Sequence, residues 1–202
     1  MKIYDWPVKE DELALCVEAI NDGYIGGVST DTVYGLVFDS NSSEACQRIA
    51  ELKKRENDLF TFHIVELDQI LRSEVEFQDR IIEFLRVNLP GPLTVIVKGV
   101  YKGVERYYGI RMPENPGARK LFKQFPFPSV VATSTNETGY NPLVFKKEVL
   151  TFLKNRISFC IFDESLCLDK KASTIIKIVD KDIQILRQGS LKIEDIDSSP
   201  LS

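Results

Sequence analysis

Five short stretches of this chain carry side chains suited to gripping anions: STDTVYGL (Ser29 to Leu36), KKR (Lys53 to Arg55), GIRMP (Gly109 to Pro113), STNETG (Ser134 to Gly139) and ILRQG (Ile185 to Gly189). Lysine, arginine, hydroxyl and amide groups are the usual donors to phosphates and carboxylates. Lys53 and Arg55 stand one residue apart, so on a continuous helix they would point about 200° away from each other. Both reach one anion only if the helix ends between them, and the turn-forming Glu56-Asn57-Asp58 run permits that ending. The other reading of this trio is cations offsetting the dipole of a helix C-terminus. Ser134 and Asn136 share the same spacing, but extended geometry puts both side chains on one face. With Gly139 in a Thr-Gly turn they form either a phosphate cradle or an ordinary Asx turn. Arg111 sits between Ile110 and Met112, where a guanidinium needs an anionic partner, either a ligand or a neighbouring acid. Arg187 has similar surroundings. Ser29, Thr30 and Thr32 offer hydroxyls to a ligand or to a turn.

His63 is the only histidine. It reads as a metal ligand, a general base or a hydrogen-bonded strand residue, and without partners at ligand spacing no metal site is expected. The chain has no GxxxxGK[ST] loop, no strand-linked GxGxxG and no nucleophile elbow. A bound nucleotide would therefore need a cradle other than the two common ones, and covalent hydrolysis is a poor fit.

Alternating helices and strands would position these groups. Leu13, Cys16, Val17 and Ile20 form a helical stripe within Lys9 to Gly23, with Gly23 at the stop position. A strand over Tyr24 to Ser29 delivers TDTVYG at its end. Ser42 and Ser43 cap a second helix through Ala45, Ile49 and Leu52, with Lys53, Lys54 and Arg55 in its last turn. Phe60, Phe62 and Ile64 alternate as a strand. A helix over Gln78 to Asn88 stops before Pro90, and a strand over Leu93 to Val97 follows. Gly109 to Met112 is a strand, Asn115-Pro116 opens a helix, and Ser129 to Thr133 is a strand. Lys146 to Arg156 is a helix, and Ile157 to Phe162, Thr174 to Val179 and Ile183 to Leu186 are strands.

With 202 residues, 44% of them hydrophobic, the chain suits one well-buried core. The expectation is a single domain over residues 1–196 with a frayed tail over 197–202. A net charge of -4 argues against a protein that coats nucleic acid over its whole surface, although a local basic pocket stays compatible. Four scattered cysteines without zinc spacing suit reduced thiols, and no apolar run is long enough for a signal peptide or membrane span. A cytoplasmic protein without a membrane partner is expected.

The succession TDTVYGL, KxR, PGPLT, a GIRMP arginine strand, SxNxTG, Ser173-Thr174-Ile175-Ile176 and ILRQG resembles the threonylcarbamoyl-AMP synthase family from about Asp5 to Leu191. The resemblance implies an α/β fold of YrdC-like type: a twisted mixed sheet with helices on its faces, curved around a positively charged cavity. It implies a nucleotidyltransferase that condenses L-threonine, bicarbonate and ATP, the ATP carrying Mg2+, into threonylcarbamoyl-AMP and pyrophosphate. That product serves N6-threonylcarbamoyladenosine formation at position 37 of tRNA, with other proteins of the same modification and tRNA or double-stranded RNA as partners. By the same resemblance Thr30, His63, Arg111 and Ser173 would hold threonine. Lys53, Arg55, Asn57, Ser134, Asn136 and Arg187 would hold the nucleotide, with Lys53 and Arg55 catalytic. The chain departs from the family pattern in having Ser29 in place of a proline, Thr135 in place of an alanine and Lys177 in place of an aspartate. Glu56 and Asp58 stand beside the proposed phosphate site. The alternative is a catalytically silent paralogue that binds RNA or nucleotide.

Overall fold

Alternation along the strands decides which side chains enter the core and which are left for a site. The computed structural model describes residues 1–54, 60–163 and 171–201. Its strands are β1 (Lys2–Asp5), β2 (Gly26–Val28), β3 (Gly35–Asp39), β4 (Thr61–His63), β5 (Val75–Glu76), β6 (Leu93–Tyr101), β7 (Val104–Arg111), β8 (Val130–Ser134), β9 (Phe159–Phe162), β10 (Thr174–Val179) and β11 (Asp182–Arg187). They join one twisted mixed sheet in the order β1-β9-β2-β3-β8-β4-β7-β6-β10-β11, with β5 beside β6. The helices are α1 (Glu10–Asn21), α2 (Ser43–Lys53), α3 (Asp68–Leu71), α4 (Asp79–Asn88), α5 (Pro116–Phe122) and α6 (Lys146–Leu153).

Local chemistry explains the main boundaries. The acidic first turn of α1 complements its dipole, the Lys9 N–H donates to the Glu12 carboxylate at 3.1 Å, and Leu13, Cys16 and Ile20 are its buried stripe. Ser42 Oγ accepts from the Ala45 N–H at 3.2 Å to start α2, and Asn115 Oδ1 accepts from the Ala118 N–H at 3.0 Å to start α5, whose first residue is Pro116. These caps fall where the sequence places them.

Two layers of helices sandwich the β9-β2-β3-β8 half of the sheet. α1 and α5 pack on one face against Val28, Val37 and Ile161, and α2 and α6 pack on the other against Leu36, Phe38 and Val131. On the other half, α4 covers one face only, setting Ile81, Phe84 and Leu85 against Val95, Val97, Ile110 and Ile176. Each such side chain removed from water contributes about 1.5–3 kcal/mol. The opposite face of that half carries Thr94 and Arg111, which line a cavity.

Several elements differ from the sequence expectation. β7 starts at Val104, not Gly109, and joins β6 through a two-residue turn at Lys102 (φ 50°) and Gly103 (φ 77°). Its outer half, Val104 to Tyr107, is exposed, so no apolar alternation marks it. β1, β3, β5 and α3 lack a distinguishing period and were not expected. α6 ends at Leu153, and Asn155 at φ 61° breaks the path before β9 begins at Phe159. The tail expected to fray is instead packed through 201. Residues Ser199–Leu201 form a 3-10 turn whose Leu201 is 2% exposed in the α4 core, and Asn88 and Asp197 exchange hydrogen bonds at 2.8 and 2.9 Å.

Candidate functional site

The cavity, about 960 Å3, is built by strand alternation and by the ends of two loops. On β6, Leu93, Val95 and Val97 enter the core, which leaves Thr94 on the cavity side. On β7, Tyr108 and Ile110 enter the core and Arg111 lines the cavity, with His63 of β4 beside it in parallel register. Lys53, Arg111, Lys171 and Arg187 all line it, and among its described lining residues none is Asp or Glu.

One wall centres on Lys53. Helix α2 ends there because Lys54 adopts the left-handed conformation (φ 51°, ψ 45°). That turn sends neighbouring lysines in different directions. Lys54 pairs with Glu137 at the surface at 2.8 Å, while Lys53 is only 4% exposed. Its Nζ donates to the Ser134 carbonyl at 2.7 Å and to Asn136 Oδ1 at 3.0 Å, with Ser134 Oγ at 3.4 Å. Ser134 Oγ also donates to Asn136 Oδ1 at 2.6 Å, so lysine, hydroxyl and amide form one connected cluster. The Thr138 N–H donates to the Lys53 carbonyl, tying the STNETG loop to the end of the helix.

The second wall centres on Arg111, a residue 5% exposed. Its Nη2 donates to Asp31 Oδ1 and to Thr32 Oγ1, both at 2.8 Å. Thr32 Oγ1 lies 3.1 Å from Thr30 Oγ1, which donates onward to the Val33 carbonyl at 2.6 Å. The hydroxyls of TDTVYG therefore form a relay that orients the arginine. Ser29 Oγ accepts from the Asp163 N–H at 2.9 Å and serves the fold. Arg111 thus has an internal acid as one anionic partner, while its buried Nε and Asp31 Oδ2 have no hydrogen-bond partner among the described residues. Burial lowers the Arg111 pKa, and Asp31 opposes that shift.

His63 stacks on Phe122 with ring centroids 4.8 Å apart, and its Nδ1 lies 3.0 Å from the Thr61 carbonyl. Burial, and then the Arg111 charge, push its pKa down to about 3, so the ring is neutral at physiological pH. A ring so reluctant to take a proton is suited to positioning, not to general-base catalysis.

Arg187 completes the cavity from β11. Its Nε and Nη2 donate to the Ser173 carbonyl at 3.0 and 2.8 Å, Nη2 reaches Ser173 Oγ at 3.2 Å, and that hydroxyl lies 2.9 Å from Thr94 Oγ1. The strand approaches closely because residue 189 is glycine: a Cβ there would stand 2.2 Å from the Ala172 carbonyl oxygen. Burial and then the nearby Arg111 lower the Arg187 pKa, so the two guanidiniums repel across the cavity.

Of the residues singled out in the sequence, Thr30, Lys53, His63, Arg111, Ser134, Asn136, Ser173 and Arg187 all line this one cavity. Arg55 and Asn57 lie outside the described residues. Sequence reasoning missed Asp31 as the arginine's partner and gave no role to Thr94, Thr61 or Lys171. Thr94 was legible as the one polar residue in the Leu93 to Val97 run; Lys171 had no such signal. Among the described residues, no group of three or more His, Cys, Asp or Glu could hold a metal ion, and no helix is long and apolar enough to cross a membrane.

These features place the chain in a known class. The Sua5/YciO/YrdC family model, described as telomere recombination, matches residues 18–189, and the chain belongs to that family. A Methanocaldococcus jannaschii relative, which bears the name threonylcarbamoyl-AMP synthase provisionally, is 27% identical over 97% of this chain and 95% of its own length. The Schizosaccharomyces pombe threonylcarbamoyl-AMP synthase is 28% identical over 89% of this chain, which spans only 51% of that longer protein. In fold, the chain resembles P. abyssi Sua5 complexed with L-threonine, with a TM-score of 0.81 at 24% identity, covering 96% of this chain and 59% of that one. E. coli YciO matches over the full length of both chains, with a TM-score of 0.77 at 22% identity.

Proposed function

We propose that this chain is an L-threonylcarbamoyladenylate synthase, a nucleotidyltransferase joining L-threonine, bicarbonate and ATP. The observation that carries the reading is the convergence of Lys53, Arg111, Lys171 and Arg187, from distant parts of the sequence, on one cavity with no Asp or Glu among its described lining residues. Lys53, Ser134 and Asn136 take the phosphates of ATP, with Arg55 and Asn57 assigned to the same side from sequence. Arg111, His63, Ser173 and Thr30 take threonine. Arg187, assigned to the nucleotide side from sequence, would gain from an anion that offsets its repulsion with Arg111.

The amine of threonine attacks the carbon of bicarbonate, or of CO2 formed from it, giving a carbamate with net loss of water. A carbamate oxygen then attacks the α-phosphorus of ATP, and the bond to the bridging oxygen breaks to release pyrophosphate. The protein's part is alignment and charge neutralisation, and no protein nucleophile is required. Lys53 and Arg187 face the charge that develops on the phosphates. Mg2+ arrives with ATP and is held mainly by its phosphates. The adenylate then passes to the proteins that modify tRNA.

The test is pyrophosphate release by the purified chain given ATP, Mg2+, bicarbonate and L-threonine, repeated with L-serine. Release that needs both threonine and bicarbonate is expected. ATP binding without release would instead identify a catalytically silent relative.

A further inference from the structure

The loop after the phosphate-type cluster carries an apolar strip that the proposed chemistry does not use. From Tyr140 to Val144 the chain is irregular. Tyr140, Asn141, Pro142 and Val144 line the cavity. Leu143 turns the other way, packs into the α2–α6 core, and donates its N–H to the Thr135 carbonyl at 3.0 Å. Tyr140 is 73% exposed as a lining residue, and the described residues give its ring no ring or cation partner. Water alone is a poor reason to hold an aromatic ring there, yet its backbone is pinned. Asn136 Nδ2 donates to the Tyr140 carbonyl at 2.7 Å and to the Glu137 carbonyl at 2.8 Å, while Asn136 Oδ1 accepts from Lys53. One amide thus ties the backbone that carries the exposed tyrosine to the Lys53 cluster.

We infer that Tyr140, backed by Pro142 and Val144, is the platform on which the base of the bound nucleotide stacks. This rests on the nucleotide reading above and extends it to the base. A flat apolar face beside an anion grip fits a nucleobase whose phosphates reach Lys53, and stacking on an aromatic ring is tolerant of base identity because every base has a π-face. Purines, with the larger face, are held more tightly than pyrimidines. Because Tyr140 is exposed, its replacement leaves the core intact.

Calorimetric titrations of ATP and of inorganic tripolyphosphate into the wild type, Tyr140→Ala and Tyr140→Phe test this. Stacking predicts that Tyr140→Ala weakens ATP by roughly tenfold, the scale of one base–aromatic contact, leaves tripolyphosphate affinity unchanged, and is rescued by Tyr140→Phe. Unchanged ATP affinity in Tyr140→Ala overturns the platform while leaving the nucleotide site standing. Equal weakening of both ligands also overturns it, since the residue would then act on the phosphate grip. Failure of the wild type to bind ATP at all overturns both the platform and the nucleotide reading.

Discussion

Acidification should unfold this protein partly through His63, and the size of the effect follows from its surroundings. The ring is buried, stacked on Phe122 and placed beside the Arg111 guanidinium, and its pKa falls from 6.5 to about 3. A folded-state pKa below the unfolded one means that folding disfavours the protonated ring. The stability that the neutral ring permits is complete above about pH 6.5 and is lost progressively as pH falls toward 3. At about pH 5 the unfolded chain has gained roughly 1.5 pH units of proton-binding advantage, about 2 kcal/mol at 1.36 kcal/mol per unit. The assay is urea unfolding of wild type and His63→Gln at about pH 7.5 and about pH 5. The carboxylates titrate in both proteins and cancel in the comparison. Wild type should lose about 2 kcal/mol more than the variant between the two conditions. Parallel losses would mean that the ring protonates as readily in the folded chain as in the unfolded one, and the buried, arginine-flanked placement of His63 would be wrong.

Three further outcomes follow from named contacts. Asp31→Ala strands the buried Arg111 without its ion pair and should destabilise the chain by about 3–5 kcal/mol in chemical denaturation; a loss below about 1 kcal/mol would place that arginine in contact with solvent. Lys53→Met removes donors at 2.7 and 3.0 Å, with a stability cost of about 1–3 kcal/mol and ATP binding weakened at least about tenfold by calorimetry. ATP affinity equal to wild type would remove Lys53 from the nucleotide site. Truncation after Ser198 deletes the buried Leu201 and should lower stability by about 2–3 kcal/mol, whereas an unchanged urea midpoint would mean that the tail contributes nothing.

Much of this site was legible because strand periodicity and site chemistry reinforce each other. Thr94 and Arg111 interrupt apolar runs at positions where alternation turns the side chain out of the core, and that makes them conspicuous. The sequence placed Lys53, Lys54 and Arg55 together in the last turn of α2 and required an ending between Lys53 and Arg55 only if both were to reach one anion; the helix ends at Lys53, where Lys54 turns left-handed. The pairing of Arg111 with Asp31, 80 residues away, could not be read, because strand order is a property of long-range packing and no local period encodes it. The outer half of β7 and the edge strand β1 escaped notice because their largely exposed residues carry no apolar alternation. The tail misled for the reverse reason: the polar run from Asp197 to Pro200 reads as solvated, but the leucine after it finds the α4 core.

Under the proposed function, the two walls of one cavity bring threonine and ATP together through a carboxyl carbon taken from bicarbonate. Mass spectrometry of the products made from ATP, L-threonine and 13C-bicarbonate tests it most directly. The expected product is an adenylate that contains AMP, threonine and one labelled carbon, formed together with pyrophosphate. Threonyl-AMP without the label, or no adenylate while ATP remains bound, would contradict it.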